Sequence, residues 1–318
     1  MSNSLDLPVV LIVFNRPHIT TLAMERLRAM RPKTLLVVAD GPRSERPHEP
    51  KLCAEVRQIA ERVDWPCELL KNYSEENLGC GRRIATGLDW AFRTVEEAAI
   101  VEDDCQPEPE FYRFCQEMLE RYRDEPRVMQ VCGSNFLFGR ARPRASYYFS
   151  RYPLSWGWAS WRRAWSHFDF DMKSWRVASN QQAYLDQFDH PKEQAFWKES
   201  WNQMCAGEGD NWDYQWSFAC LAARGLSIVP SANLIRNVGF GGDATHTRSR
   251  LMALTPPVGK LTFPLEHPTE IESDEAADRL ASRTLFQKRH LIEKVAEGLR
   301  RKALSGWSRV WSPDPAVS

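Results

Sequence analysis

Three short apolar runs, each stopping at polar residues, limit the possible folds of this chain more than any other feature. Residues 8–14 (PVVLIVF), 34–39 (TLLVVA) and 99–101 (AIV) are continuous, short and rich in β-branched side chains, which suits strands buried on both faces. Helical spacing fills the intervals. Leu22, Met24 and Leu27 follow a cap at Thr20 or Thr21, a second helix is predicted around 52–63, and Ile84, Leu88, Phe92 and Val95 share one face of a third. A short strand is expected near 67–70. Alternating strand and helix predicts an α/β layer with a parallel sheet, in which ligands sit at the carboxyl ends of the strands. Asn15-Arg16, Asp40-Gly41-Pro42 and Glu102-Asp103-Asp104 all fall at such ends.

Downstream, residues 110–123 read as an amphipathic helix with Phe111, Phe114, Met118, Leu119 and Tyr122 inward, followed by a strand over 127–132. The character then changes. Tryptophan and tyrosine crowd the stretch YPLSWGWASWRRAW, and more tryptophans stand at 197, 201, 212 and 216. Two short strands, 225–229 and 234–238, precede a glycine-rich loop, GFGGDATHT; 253–273 is irregular, and 274–311 is helical and increasingly basic. No internal repeat is visible.

Composition removes several function classes. Lysine plus arginine and aspartate plus glutamate balance at 42 each, so nothing global attracts nucleic acid or an anionic membrane. The first residues lack the basic lead and cleavage site of a secretory signal, and no run reaches the ~20 apolar residues a bilayer span needs. Eight cysteines occur without a C-x-x-C pair or a tight cluster with histidine, which fits reduced, mostly buried thiols in a cytoplasmic protein. The sequon at Asn72-Tyr73-Ser74 then carries no meaning.

The stretch IVEDDC poses the sharpest chemical question, because three adjacent carboxylates at a buried strand end repel one another unless a cation or a set of hydrogen bonds compensates them. Magnesium or manganese would do so, taking one or two protein carboxylates and completing the shell with phosphate oxygens and water, which points to a nucleoside diphosphate. The plainer alternative is a solvated loop whose acids, with Glu108 and Glu110, favour the start of the next helix.

The run AAIVEDDCQPEPEFYRFC resembles the metal-binding turn of GT-A glycosyltransferases, in the Glu-Asp-Asp form found in N-acetylglucosaminyltransferase I and related bacterial glycosyltransferases. VVLIVFNRP is similar to their first strand and nucleotide-facing loop, VVADGPR to the second strand with its base-contacting Asp, and NLGCGRRIATGLDWAF to the helix leading to the acidic turn. SWGWASWRRAW, NWDYQW and NLIRNVGFGGDATHT look like later segments of that bacterial group, so the resemblance runs in order from residue 8 to about 248. It implies an α/β GT-A (Rossmann-like) fold: a mostly parallel sheet flanked by helices, an aromatic-rich acceptor half and a C-terminal helical tail. The corresponding divisions are 1–135 for the nucleotide-sugar half, 136–265 for the acceptor half of the same catalytic domain, and 266–318 for the tail.

By that resemblance Asn15 and Arg16 lie beside the nucleotide and Asp40 accepts a hydrogen bond from the base, the N3–H of uracil in a uridine donor. Glu102 and Asp103 orient ribose and sugar hydroxyls, Asp104 ligates Mn2+ or Mg2+, and Arg82 or Arg83 offsets diphosphate charge with its forked guanidinium. A surface salt bridge is the simpler role for one of these two arginines. His246, in a loop whose glycines permit closure, would be a second metal or diphosphate ligand, against the alternative of a merely exposed histidine.

An inverting displacement needs a base for the acceptor hydroxyl. Asp213 is preferred, with aromatic Trp212, Tyr214 and Trp216 around it at the start of a helix over 214–223; Asp210 is the competing register, and Asp213 could simply cap the helix. Trp161, Trp165, Trp197 and Trp201 are expected in the core, whereas Trp156 and Trp158, separated by Gly157, are sugar-contact candidates. Residues 285–311 combine basic and apolar side chains with Trp307 and Trp311. That pattern suits either a peripheral contact with the inner face of a membrane or, preferably, packing on the domain itself.

The expected activity is a metal-dependent, inverting transfer of a sugar from a nucleotide-diphosphate donor, a UDP-sugar by preference, to a glycan or lipid-linked acceptor in surface polysaccharide or glycoconjugate synthesis. The alternatives are a non-catalytic carbohydrate-binding protein on the same fold and a sugar nucleotidyltransferase. The latter is disfavoured because NRPHITT, rather than a glycine-rich basic loop, follows the first strand.

Overall fold

The computed structural model describes residues 4–140, 145–239 and 256–287. Its elements run in the order β1 (Val9–Val13), α1 (Pro17–Met30), β2 (Thr34–Ala39), α2 (Glu49–Ala60), β3 (Glu68–Tyr73), α3 (Cys80–Thr94), β4 (Glu97–Glu102), β5 (Cys105–Pro107) and α4 (Pro109–Arg121). Then come β6 (Val128–Cys132), β7 (Tyr147–Ser150), β8 (Trp158–Trp161), α5 (Arg162–Trp165), α6 (Ala178–Leu185), α7 (Pro191–Ala206), α8 (Asp213–Ala222), β9 (Leu226–Pro230), β10 (Ile235–Asn237) and α9 (Glu275–Ser282).

The fold is mixed α/β, with one eight-stranded sheet in the order β3-β2-β1-β4-β8-β6-β9-β7. Four of its pairings, β1 with β2, β1 with β4, β2 with β3 and β6 with β9, are parallel. β8 runs antiparallel to both β4 and β6, and β7 antiparallel to β9. All five residues of β1 are buried, as a strand covered by helices on both faces requires. From β1 the chain steps outward to β2 and β3, then returns through α3 to place β4 on the other side of β1. The reversal leaves a crevice at the carboxyl ends of β1 and β4, where such sheets receive ligands.

Two local differences from the sequence reading shape this edge. α1 begins at Pro17 and not at a threonine cap, because proline at the first helical position needs no amide partner and its φ already suits a helix. Thr20 therefore sits inside the helix, with its hydroxyl 3.0 Å from the Arg16 carbonyl and 3.4 Å from Asp103 Oδ2. The expected strand near 234–238 does not join the main sheet. As β10 it pairs with β5 in a two-stranded ribbon, Asn237 opposite Cys105, and Val238 N donates to the Asp104 carbonyl at 2.9 Å.

One core surrounds the sheet, and a second gathers Trp175, Trp197, Trp201 and Phe218 between α7, α8 and the β7–β9 side. Trp161, Trp165, Trp197 and Trp201 are buried in these cores. Two buried carboxylates fasten α9: Asp278 accepts from Ser150 Oγ at 2.5 Å and Arg151 N at 3.1 Å, and Glu193 accepts from Tyr152 Oη at 2.6 Å and Ser282 Oγ at 2.5 Å. α9 itself starts at a side-chain cap, Asp274 Oδ1 accepting from the amides of Ala276 and Ala277. Of the basic stretch 285–311, all but 285–287 lies outside the described residues. Among the described residues no helix is long and apolar enough to cross a membrane.

Candidate functional site

A cavity of about 320 Å³ opens at the crevice between β1 and β4. Its floor is made at the ends of three parallel strands: Phe14 and Arg16 after β1, Asp40 and Arg43 after β2, and Glu102, the last residue of β4, with Asp103 and Asp104 after it. The N-terminal turn of α3 adds Gly79, Cys80 and Arg83; Trp156, Asp210, Asn237 and Gly239 close the remaining sides.

The acidic turn is compensated from within. Arg16, the last residue before α1, places Nη2 against Asp103 Oδ1 and Nη1 3.0 Å from Asp104 Oδ2. The two carboxylates hold the Arg16 guanidinium charged against the cost of its burial. Burial still pushes the Asp103 carboxyl up to about 6, with Arg16 opposing and Asp104 reinforcing the rise. Glu102 is raised above the ordinary carboxylate range by burial first and then by the charges of Asp104 and Asp103. One guanidinium thus leaves the triplet with uncompensated negative charge.

At the end of β2, Asp40 is buried and its oxygens accept from Gly41 N at 2.9 Å, Asn77 Nδ2 at 3.0 Å and Leu78 N at 3.0 Å, which ties the segment before α3 to the sheet. Burial raises its pKa against these bonds. Arg83 is buried beside it, bonded through Nη2 to the Asn72 carbonyl at 2.6 Å; its Nε has no partner among the described residues. Burial pulls the Arg83 pKa down, and the charge of Asp40 resists that fall. Arg43 is oriented by Glu49, which is 1% exposed and accepts from Arg43 N and Nε, both at 3.0 Å. Sequence reasoning named neither Arg43 nor Glu49 as a site residue, although Arg43 directly follows the Asp40-Gly41-Pro42 turn.

Placement corrects several expectations. Asn15 does not line the cavity: its Nδ2 donates to Glu49 Oε1 at 3.1 Å, so it supports Arg43 indirectly. Arg82 is exposed and lies over the Phe170 ring, 5.2 Å from its centroid, because successive helical residues cannot share a face; Arg83 takes the inner one. Trp158 is a core residue, 1% exposed and stacked on Trp212 at 5.4 Å, since as part of β8 it faces the helices packed on the sheet. Trp156 lines the cavity and packs on Phe136 at 5.0 Å. Asp103 lines the cavity but is 2% exposed, with its oxygens directed to Arg16 and Thr20. His246 lies outside the described residues.

Asp210 lines the cavity and Asp213, the preferred base, does not: Asp213 opens α8 and accepts from Asn211 Nδ2 at 3.2 Å. Asp213 makes no side-chain cap bond; Trp212 holds the cap position. It is near enough for its charge to help raise Glu102 and Cys80. All eight cysteines are free thiols.

Could these residues hold a divalent cation? Among the described residues no three histidine, cysteine or acidic side chains form a ready-made metal cage. Magnesium and manganese need only one or two carboxylates when phosphate and water complete the shell. Asp104, partly exposed at the cavity wall, together with the undercompensated Glu102, supplies hard oxygen donors of that kind. The donor set fits such an ion.

No family model matches the chain, and no curated protein matches it. Among solved structures the chain is similar to a UDP-glucose pyrophosphorylase complexed with UDP-glucose, at 10% identity over 71% of this chain and 90% of that one, TM-score 0.34. It is also similar to mouse xyloside xylosyltransferase 1 in its apo form, at 9% identity over 68% and 81%, TM-score 0.34. HddC from Yersinia pseudotuberculosis aligns at 9% identity over 49% and 77%, TM-score 0.32. Likenesses this distant carry no argument about the chemistry of this chain.

Proposed function

We propose that the cavity binds a nucleotide sugar, a UDP-sugar by preference, with Mg2+ or Mn2+, and that the chain transfers the sugar with inversion to a glycan or lipid-linked acceptor in surface polysaccharide or glycoconjugate synthesis. One observation carries this reading: Asp40, Arg43, Arg83, Arg16 and the acidic turn converge on one cavity at the switch point of the sheet. Such a wall offers a carboxylate for a base edge, guanidinium groups for a diphosphate and oxygen donors for its counter-ion.

In this reading Asp40 meets the base while Asn77 and Leu78 fix its carboxylate. Arg16 keeps Asp103 and Asp104 compensated, and Arg83, whose side chain lines the cavity, offers its charge to diphosphate oxygens. A cation bound at Asp104 would neutralise charge growing on the leaving diphosphate. Glu102 meets a donor hydroxyl and Trp156 the apolar face of a sugar, a reading supported by both residues lining the cavity. Asp213 takes the proton of the acceptor hydroxyl.

The test is a thermal-shift panel of UDP, GDP and CDP, each with and without Mn2+, followed by turnover of the matching nucleotide sugars. Binding at one hundred times Kd stabilises by about 2.7 kcal/mol, a shift of several degrees. UDP with Mn2+ should raise the Tm and Asp104→Asn should abolish the rise. Release of pyrophosphate on mixing a nucleoside triphosphate with a sugar phosphate would instead identify a nucleotidyltransferase; glycan binding indifferent to nucleotide and chelator would leave a carbohydrate-binding protein.

A further inference from the structure

Asp210 stands in the short segment between α7 and α8, yet its carboxylate bonds to the far side of the cavity. Oδ2 accepts from Cys80 N at 2.8 Å and Oδ1 from Gly81 N at 2.7 Å, across 130 and 129 residues of chain. These are the first two amides of α3, whose own cap residue, Gly79, has no side chain to offer. A carboxylate there satisfies orphan donors and lies at the positive end of the helix.

The receiving segment is shaped for this contact. Gly79 has φ +78°, and a Cβ on it would lie 2.8 and 2.9 Å from the Asp210 oxygens; a Cβ on Gly81 would lie 2.6 Å from the Asn211 carbonyl oxygen. Only glycine admits Asp210-Asn211 so closely at both positions. The contact then passes on, because Asn211 Nδ2 donates to Asp213 Oδ1 at 3.2 Å.

We propose that Asp210 is a positioning residue and not the proton acceptor: it latches the segment before α8 onto α3, and Asn211, pinned between them, aims Asp213 at the acceptor. This rests on the glycosyl-transfer reading above. Both Asp210 oxygens are engaged by backbone donors, and moving either to an acceptor hydroxyl would uncover a helix amide beside the cavity. The latch also joins the two sides of the cavity, so the acceptor-side carboxylate is held in register with the donor floor.

The experiment compares Asp210→Ala, Asp210→Asn, Gly81→Ala and Asp213→Ala in the full chain by three readouts. These are the Tm shift with UDP and Mn2+, kcat and donor KM for the UDP-sugar that turns over, and rescue by added formate. A misplaced base costs on the order of 100-fold, so Asp210→Ala and Gly81→Ala should each lower kcat by about 10- to 100-fold. Donor KM should stay within about twofold, the UDP–Mn2+ shift should be intact, and formate should restore nothing. Asp210→Asn, which keeps one acceptor oxygen, should fall between wild type and Asp210→Ala. Asp213→Ala should lose more rate and regain part of it with formate. Gly81→Ala keeps the Asp210 carboxylate, so its parallel behaviour separates positioning from loss of a base even if Asp210→Ala fails to fold. Formate rescue of Asp210→Ala, or wild-type kcat in Asp210→Ala and Gly81→Ala with the UDP–Mn2+ shift intact, would overturn the latch alone. A wild-type protein that neither shifts with UDP and Mn2+ nor turns over any UDP-sugar would overturn the nucleotide reading, and the latch with it.

Discussion

Arg16 and Asp103, 87 residues apart in the chain, form an ion pair beneath the cavity with the Asp103 side chain only 2% exposed. Removing one partner of a buried pair strands the other charge, at a cost of about 3–5 kcal/mol. Arg16→Ala should therefore destabilise the protein by that order in urea unfolding, and Asp103→Asn added to it should recover a substantial part. A double variant no more stable than Arg16→Ala would show that the pair does not hold this edge.

Arg43 reaches the cavity on a mount made by Glu49 and Asn15. Glu49→Gln removes the charge that fixes the guanidinium without removing the guanidinium itself. Titration calorimetry should find UDP binding weakened by about 3- to 10-fold in Glu49→Gln, some 0.6–1.4 kcal/mol, and by at least as much in Arg43→Ala. Equal affinity in all three proteins would remove Arg43 from the donor site.

Asp278 gives a stability prediction with a defined sign. Burial pushes its carboxyl up to about 6 from an ordinary 3.8, despite the bonds from Ser150 and Arg151. As pH rises from about 4 to 6 the unfolded chain releases this proton before the folded one does, so the contribution is complete below about 4 and lost above about 6. Asp278→Asn should flatten the stability curve across that window, shrinking the decline by on the order of 2–3 kcal/mol. Denaturant midpoints at pH 4, 5, 6 and 7 measure it. Parallel curves for the two proteins would contradict the assigned shift.

The tryptophans flanking Gly157 should separate cleanly. Trp158 stacks on Trp212 and packs against the tilted rings of Trp165 and Trp216, so Trp158→Ala should cost about 3–5 kcal/mol of stability. Trp156 is only partly buried at the cavity wall, and Trp156→Ala should cost less than about 2 kcal/mol while raising the KM of the sugar substrate. Matching Tm losses would mean that both rings are core.

The first half of the sheet was legible because β1, β2 and β4 are buried on both faces, and continuous β-branched runs have few other uses. The same logic put Arg16, Asp40 and the acidic turn on one edge. It could not show that Arg16 itself is the counter-ion, since that pairing spans residues with no local pattern in common. β7 and β8 escaped notice because in YYFS and WASW nearly every residue is apolar or small and all are buried, which leaves no period-2 alternation to read. Trp158 differs from its sequence expectation for the same reason: without the strand assignment, the neighbouring glycine suggests a close backbone approach to a sugar. The Asn15–Glu49–Arg43 mount was invisible because Glu49 reads as one more acid at a helix start.

The position of β8 has a consequence for how the chain must be made. Among the described residues β6 pairs with β8 and β9 alone, and β4 touches β8 along its outer side. A nascent polypeptide that has emerged only to residue 135 therefore carries β6 with no neighbour and β4 with a bare flank, an invitation to self-association. The floor of the cavity keeps one flank of β4 uncovered until β8 is in place. That flank and both edges of β6 are covered once residues 158–161 and 226–230 have joined the sheet.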